Sequence, residues 1–182
     1  MNLDLINFTI NNKIKKEYLC KNHGGQDISP HIKWSSTNNA KSYALILEDP
    51  DAVGKNIAHR VNLVHWYIPF ISPEITQIEE LNHININNSQ SMNLSKINYS
   101  KLNMFQAKNT IGKFGYHGPC APEGSRTHHY KFTIFALDDK LLLNDSNIQV
   151  SGSVEFRRLL KKNNILILSE DSITIQYYFG MV

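Results

Sequence analysis

Runs of apolar and β-branched residues, separated by turn signals, dominate the 182-residue chain and predict strands. The clearest predicted strands cover residues 42–47, 60–68, 130–137 and 173–179, and shorter strands are expected near 3–10 and 32–34. The strand at 60–68 is expected to stop at Pro69, because proline lacks the N–H group that a central strand needs. These runs predict a mostly β fold.

One segment, which begins after Ser153, has a helical pattern. Phe156 and the apolar residues at 159, 160, 166 and 167 fall on one face of the predicted helix. Ser153 is a suitable N-cap, and Glu155 suits the positive end of the helix. Residues 165–168 fit a strand equally well by propensity, so the pattern leaves the end of the helix open.

Two polar stretches interrupt the apolar pattern. Residues 83–108 are rich in Asn and Ser, too polar for the core and long for a connection, which favours a surface insert or loop. Residues 109–127 contain four Gly and two Pro and predict a compact loop. The chain has the length of a single domain, 1–182, with the Asn-rich stretch as an insert in it.

Composition and charge exclude several classes of protein. Hydrophobic residues make up 41% of the chain, which argues against disorder throughout. The net charge of +3 arises from scattered Lys and Arg residues, so no nucleic-acid partner is expected. No apolar run approaches the ~20 residues of a membrane span, and the N-terminus lacks the order of a secretory signal. We therefore expect no stable membrane insertion.

The two cysteines, Cys20 and Cys120, leave two interpretations open. Two thiols fit a reducing compartment, which predicts a cytoplasmic protein. One long-range disulfide between them is also compatible with the sequence, and it would weaken the cytoplasmic prediction.

Two segments place candidate functional side chains in or after predicted strands. Asp49 and Asp51 follow a strand, where carboxylates can point into a cleft, although Asp is also an ordinary turn residue. His65 precedes Trp66 inside a strand, so the two side chains are expected on opposite faces of the sheet. A lone strand histidine is more often a hydrogen-bonded structural residue than a ligand, so neither segment is decisive alone.

A third candidate segment is the Gly- and Pro-rich loop at 115–122, followed by His128, His129 and Tyr130. The backbone N–H groups of so tight a loop can face an anion. His128 and Tyr130 are two positions apart at the start of a strand, so they share a face and form a donor pair for a phosphate or carboxylate oxygen. The same residues also fit a plain turn that leads into a strand.

Four motifs occur in a specific order along the chain: DPDA, His-Trp, Gly-Tyr-x-Gly-Pro-x-x-Pro, and His-x-Tyr before F-x-x-x-A-L-D. Together they resemble the phosphatidylethanolamine-binding protein family, in particular the shorter bacterial-type branch of these Raf kinase inhibitor-like proteins. The likeness extends from about Cys20 to the last predicted strand and leaves 83–108 uncovered. It implies a large antiparallel sheet packed on a smaller sheet, with one or more helices near the C-terminus.

The resemblance also implies a small anion pocket at the end of the sheet, with no cofactor, metal or catalytic residue. Its implied ligand is a phosphoryl headgroup or another small anion, and its implied protein partner is a kinase or protease that the protein inhibits. His129 stands where the family usually has Arg, which removes a fixed cation. Carried over by position, the binding residues are Asp49, Asp51, His65, Gly118, Pro119, His128 and Tyr130.

An enzyme is the alternative function, namely a hydrolase that uses Cys120 or the Asp/His cluster. Cys120 lies near two histidines in the sequence, and a Cys–His pair can form a thiolate nucleophile. The Gly/Pro turn around Cys120 offers no helix N-terminus to activate a thiolate, which favours the binding protein. Neighbouring strand histidines face opposite ways, which also disfavours a metal site built from His65, His128, His129 and Asp49.

The carboxylate of Asp49 makes anion binding dependent on protonation. Two like charges ~4 Å apart repel by several kcal/mol at an intermediate dielectric. Binding is favourable if Asp49 holds His65 or His128 protonated, takes a proton itself, or meets a cationic headgroup amine.

We therefore predict that the affinity for phosphoryl ligands rises as the pH falls from about 8 to 6, through the ordinary histidine pKa near 6.5. Calorimetric titrations with phosphate across this pH range measure the effect. An affinity that does not change over the range contradicts it.

Overall fold

Antiparallel strands form most of the structure, a computed structural model that describes residues 1–53, 60–80 and 103–180. The described helices are two short 3₁₀ turns, Lys16–Tyr18 and Lys21–His23, and α1 (Ser153–Lys162). The strands, in chain order, are β1 (Leu3–Ile6), β2 (Thr9–Ile10), β3 (Lys13–Ile14), β4 (His31–Trp34), β5 (Ser42–Asp49), β6 (Leu63–Ile71), β7 (Gln77–Ile78), β8 (Met104–Phe105), β9 (His128–Leu137) and β10 (Ile167–Tyr177).

The strands form one large and two small sheets. The large sheet has the order β10-β9-β5-β6-β8, and the smaller ones have the orders β1-β4-β7 and β2-β3. Every strand pair is antiparallel. The expected architecture is confirmed: a large antiparallel sheet lies against a smaller one, and a helix lies near the C-terminus.

Strand β5 lies at the centre of the large sheet, and all eight of its residues are buried. Its side chains alternate between two core clusters, one on each face of the sheet. Leu45 packs in a cluster with Trp34 of the small sheet, whereas Ile46 packs in a cluster with Phe156 of α1. Because core residues cover both faces of the sheet, the sequence of this strand is a continuous apolar run.

Strand β6 contains two β-bulges and lies further along the chain than the sequence predicts. Pro69 does not end the strand, which continues to Ile71. The register shifts at this point, because Ile68 pairs with Leu45 whereas Ile71 pairs with Tyr43. A bulge leaves one residue outside the regular ladder, so it tolerates a residue without an N–H group. The expectation that Pro69 is a strand end was therefore wrong.

A second bulge changes the side of the sheet that His65 faces. Leu47 pairs with Trp66 and Glu48 with Val64, so His65 is the extra residue between them. Val64 and Trp66 consequently belong to opposite core clusters, although regular alternation would place them on one face. The prediction that His65 and Trp66 lie on opposite faces of the sheet assumed a regular strand. The bulge shows that the strand is not regular at His65.

Helix α1 begins at Ser153 as expected, but Ser153 is not its N-cap. Gly152 occupies that position, with a φ of 140°. The Ser153 side chain instead donates a hydrogen bond of 2.5 Å to the buried carboxylate of Glu48, which also accepts the Ser153 backbone N–H at 3.0 Å. A carboxylate from the sheet thus stabilises the positive end of the helix.

The helix ends at Lys162, and β10 begins at Ile167, which answers the question that the sequence left open. Leu166 is 64% exposed, so the apolar helix face predicted through 167 does not extend that far. None of the described helices is long and apolar enough to span a membrane.

Most of the Asn-rich stretch predicted at 83–108 lies outside the described residues, and the single-domain organisation of 1–182 stays a prediction. The described end of the Asn-rich stretch, residues 103–108, does not match the prediction of a polar loop. Met104–Phe105 forms β8 at the edge of the large sheet, and Phe105 and Ala107 are buried. The prediction placed the end of the polar stretch too far along the chain. It counted the few apolar residues at this end together with the polar residues before them.

Cys20 and Cys120 form a disulfide that joins two segments 100 residues apart. We predict that the double substitution Cys20→Ala/Cys120→Ala lowers the free energy of unfolding by about 2–4 kcal/mol, because the cross-link no longer restricts the unfolded chain. Urea unfolding of the oxidised wild type and of the variant measures the difference. Reduced wild type is the matched control and should unfold like the variant. Equal stabilities of oxidised and reduced wild type contradict the prediction.

Candidate functional site

A cavity of about 220 Å³ opens where β5, β6 and β9 meet the Gly/Pro loop. This volume is below the ~300–1,000 Å³ of sites for drug-sized ligands. Apolar residues near 52–53, 63–64 and 111 form part of its wall. Its polar lining includes Asp49, His65, His117, His128 and Tyr130, and Cys120 also contacts it.

The carboxylate of Asp49, at the end of β5, organises this pocket. Its Oδ1 accepts the Asp51 backbone N–H at 3.0 Å, and its Oδ2 accepts the Nδ1–H of His128 at 2.7 Å. The hydroxyl of Tyr130 also bonds to Asp49. Burial and then the charge of Asp49 raise the pKa of Tyr130 well above its usual value, so this hydroxyl keeps its proton. A buried carboxylate is stable here because it has several donors.

His128 contacts Asp49 through one ring nitrogen, and its ring lies in the wall of the pocket. Because Asp49 accepts the hydrogen bond, the Nδ1 of His128 carries a proton. The Nε2 is buried and has no hydrogen-bond partner among the described residues. The ring also stacks on Tyr130, at an angle of 18° between their planes. Predicted to share a face, His128 and Tyr130 do lie together, but the hydroxyl of Tyr130 is already engaged with Asp49.

His65 repeats this arrangement with a different partner. Its Nδ1 donates to the backbone carbonyl of His117 at 3.0 Å, and its Nε2 is buried without a partner among the described residues. Burial, together with the charges of His117 and His128, lowers the pKa of His65 to about 4. The ring is therefore neutral at pH 6 to 8 when the pocket is empty of ligand, and its Nε2 then offers only a lone pair.

His117 is a pocket residue that was absent from the predicted set. Its ring stacks on His65 with 9° between the planes, and its Nδ1 lies 3.2 Å from Asp27. The available signal was its position next to Gly118 and Pro119 in the loop. That signal is weak, since only the folded loop brings His117 to His65.

Gly118 and Pro119 were predicted to line the pocket, and the structure gives them a different place. The Gly118 N–H donates to Asp27 at 2.8 Å, and the Pro119 carbonyl accepts the Cys20 N–H at 3.2 Å. A Cβ at Gly118 would lie 2.4 Å from the backbone of Tyr18. Glycine is needed here for close packing of two chain segments.

Three backbone N–H groups of the loop, which was predicted to offer such groups to an anion, donate within the protein. The N–H of His117 donates to the His65 carbonyl at 2.8 Å, and the N–H of Cys120 donates to the Tyr130 hydroxyl at 3.1 Å. With Gly118 also engaged, these three donors are used inside the protein. These three N–H groups are therefore not free to bind a ligand in the pocket.

Asp51 lies beside the pocket, as predicted, and belongs to a separate ion-pair cluster. It accepts bonds from the Nδ1 of His129 at 2.6 Å and from Arg60 at 3.1 Å. Burial alone would raise the pKa of Asp51, but the bonds and charges of His129 and Arg60 lower it below the usual value. His128 and His129 thus bind different carboxylates on opposite sides, which agrees with the expectation that they are poor co-ligands.

Carboxylate and imidazole groups determine the polar chemistry of the pocket. Its lining residues include one carboxylate and three imidazoles, and none of those in the described part of the chain is Lys or Arg. Neutral rings offer two buried lone pairs, which suit a donor such as an ammonium group. A protonated ring offers a buried N–H donor, which suits an anion.

Comparison with known proteins identifies the family of the chain. The model of the family described as phosphatidylethanolamine-binding protein matches residues 6–178. The chain belongs to the phosphatidylethanolamine-binding protein family. Membership in this family favours a binding protein over an enzyme.

Relatives support the bacterial-type branch, and a solved structure supports the fold. A UPF0098 protein of Methanothermobacter thermautotrophicus is 34% identical over 142 residues, which are 78% of this chain and 79% of that protein. A UPF0098 protein of Pyrococcus horikoshii is 33% identical over 137 residues, 75% of this chain but only 59% of that longer protein. The crystal structure of Escherichia coli YbcL, a member of the mammalian PEBP family, has a TM-score of 0.70 at 22% identity and covers 97% of this chain and 96% of YbcL. YbcL therefore supports the fold alone.

The low pKa of His65 predicts a pH-dependent stability. The unfolded chain protonates this histidine near pH 6.5, whereas the folded protein protonates it only near pH 4. Between these values the unfolded state binds more protons, so stability falls as the pH falls, by roughly 3 kcal/mol from this group.

Urea unfolding from pH 7 to 4 measures this effect, and the substitution His65→Asn should flatten the profile, since Asn keeps an N–H donor but does not titrate. His31→Asn, a matched change outside the pocket, should leave the slope in place. If His65→Asn keeps the wild-type slope, His65 is not its cause.

Proposed function

We propose that the protein binds a small phosphoryl-bearing anion, a lipid headgroup or free phosphate, with uptake of a proton by a pocket histidine. The observation that supports this most strongly is the pair of buried Nε2 atoms, on His65 and His128, that lack a partner among the described residues. Buried polar atoms are almost always hydrogen-bonded, so two unpaired ones in the wall of one cavity favour a ligand there.

Proton uptake follows from the partners of the two rings. Each Nδ1 already donates, one to a carbonyl and one to Asp49, so each neutral ring has only a lone pair at Nε2. An anion needs a donor, and a carboxylate within hydrogen-bond distance stabilises an imidazolium. Of these two Nδ1 hydrogen bonds among the described residues, only that of His128 is with a carboxylate, which supports His128 as the ring that donates to the anion. Of the three roles considered for Asp49, this favours holding His128 protonated.

The size of the cavity selects the part of the ligand that enters. A space of about 220 Å³ suits a headgroup or a free oxyanion. A headgroup amine is a second donor, and it can meet either lone pair when the rings are neutral. The chemistry that the pocket supports is thus a small phosphoryl group, with or without a neighbouring ammonium.

Regulation of a protein partner stays a prediction. Inhibition of a kinase or protease is implied only by the family resemblance, and the pocket carries no information on such a partner. A cytoplasmic location is likewise a prediction, and the Cys20–Cys120 disulfide is the observation against it, because disulfides persist mainly in oxidising compartments.

The hydrolase alternative has one supporting observation. A histidine with Nδ1 on a buried carboxylate and a free Nε2 has the polarity of a general base, and His128 on Asp49 has this arrangement. The nucleophile proposed for it, Cys120, is held in a disulfide and offers no thiolate in this structure. The binding function therefore fits the site better.

A titration followed by NMR tests the proposed function. Phosphate and phosphoethanolamine are added separately at pH 6.5 while the histidine ring protons are observed in wild type, His128→Ala and His129→Ala. We expect saturable shifts at His65 and His128 in wild type and a loss of affinity of at least tenfold in His128→Ala. His129→Ala is a matched control, because the same change one position away faces Asp51 instead of the pocket.

Two results would contradict the proposal. One is that neither pocket ring shifts with either ligand at millimolar concentration. The other is that His128→Ala and His129→Ala weaken binding equally, which would place the anion outside the pocket. Tighter binding of phosphoethanolamine than of phosphate would identify the lipid headgroup as the better ligand, and the reverse order would identify the free oxyanion.

A further inference from the structure

A second group of ligand-type side chains lies next to the pocket and takes no part in the proposed function. It consists of Cys20, His23 and Cys120, whose potential ligand atoms all lie within 4.8 Å of one another. It is the one such cluster of three or more His, Cys, Asp or Glu residues found in the described part of the chain. Asp49, His65, His128 and His129, which were disfavoured as a metal site in the sequence, do not appear as such a cluster in the described residues.

In the oxidised protein this group cannot bind a metal through sulfur, because both sulfurs are in the disulfide. Reduction changes the chemistry of the same atoms. A dithiol reductant transfers two electrons and two protons to the disulfide, which becomes two thiols while the dithiol becomes a disulfide. A divalent cation can then replace the two thiol protons and form two metal–thiolate bonds.

We propose that the reduced protein binds Zn²⁺ through Cys20, Cys120 and His23, so that the disulfide and the zinc site are alternative states of one cluster. Two thiolates and an imidazole are soft and borderline ligands, which suit Zn²⁺ better than Mg²⁺ or Ca²⁺. Three protein ligands leave the fourth tetrahedral position for water or for another small ligand.

The distances are close to those that zinc requires. Ligands at ~2.0–2.3 Å in a tetrahedral site are ~3.4–3.8 Å apart, and the three candidate atoms already lie within 4.8 Å. Side-chain rotation of the freed cysteines is enough to close this difference. The two Cα atoms are 5.4 Å apart, which suits two cysteines that share one metal ion.

The backbone holds the two cysteines together without help from the disulfide. The Cys20 N–H donates to the Pro119 carbonyl at 3.2 Å, beside the close approach of Gly118 to Leu19. The loop is further attached by the Gly118 N–H to Asp27 bond. Reduction therefore leaves both sulfurs near each other, so the metal finds a largely preformed site.

His23 is oriented by its neighbours as metal-binding histidines usually are. It ends the short 3₁₀ turn after Cys20, and its N–H donates to the Cys20 carbonyl at 3.0 Å. The ring Nδ1 lies 2.8 Å from the hydroxyl of the buried Tyr177, and the ring packs edge-on against Phe179. A hydrogen bond on one ring nitrogen fixes the ring and leaves the other nitrogen for a metal.

Cobalt titration of the reduced protein tests this site. Full-length protein is reduced with a phosphine, which takes the place of the dithiol and becomes a phosphine oxide, and Co²⁺ is added without oxygen. We expect one equivalent of Co²⁺ to give thiolate-to-metal charge-transfer absorption and the visible bands of a tetrahedral site. Zn²⁺ should displace it, and the oxidised protein should give neither signal.

The substitution His23→Ala separates a three-ligand site from a pair of thiolates. We expect it to weaken Zn²⁺ binding at least tenfold, whereas His31→Ala, a change of the same kind outside the cluster, should leave the affinity within twofold. The ¹¹³Cd NMR shift of the cadmium-loaded wild type gives an independent measure, since nitrogen ligation moves it away from the shift of an all-sulfur site.

Three results would overturn the proposal. The first is reduced wild type that shows no charge-transfer band. The second is an affinity of reduced wild type no higher than that of the double substitution Cys20→Ser/Cys120→Ser. The third is an unchanged affinity in His23→Ala with an all-sulfur cadmium shift. None of these measurements involves phosphate, so failure of the metal site is distinguishable from failure of the anion pocket.

Discussion

The buried carboxylate of Asp49 is the interaction on which the candidate site depends. A charge in this position would cost several kcal/mol without compensation, and the folded chain supplies it with donors from the Asp51 backbone, His128 and Tyr130. These bonds join the end of β5 to the start of β9, so they close the pocket and also determine its chemistry. The Nδ1 of His128 contacts Asp49, and the ring forms part of the wall of the cavity.

A departure from regular sheet geometry places the second histidine. In an ideal strand, Val64 and Trp66 would share a face, and His65 would lie on the opposite one. The bulge at His65 breaks this alternation and brings the ring to 5.2 Å from that of Tyr130, in the wall of the pocket. The cost is a buried ring whose pKa is lowered to about 4, because burial penalises its charged form. The bulge therefore places His65 in the wall of the pocket, and the burial of the ring there makes its protonation unfavourable.

The pocket and the cysteine cluster share a wall but respond to different variables. Cys120 lines the cavity, and its sulfur is bonded to Cys20. Protonation changes the charge of the pocket, whereas reduction changes the chemistry of the cluster. The link between them is the packing of the Gly118 loop on residues 18–20, where no side chain fits. This close contact explains why glycine is needed at position 118.

The sequence by itself determined the mostly β fold, the position of the helix and four pocket residues, Asp49, His65, His128 and Tyr130. Strand and helix periods are local properties, and the four side chains sit in short motifs at strand ends or within strands. Only the tertiary structure decided the structural role of Gly118 and Pro119, the inclusion of His117, the bulges in β6, and the carboxylate of Glu48 at the start of α1. The disulfide, which the sequence left open, belongs with these. Each is a contact between distant segments, and its existence depends on register and close approach, which a linear pattern does not contain.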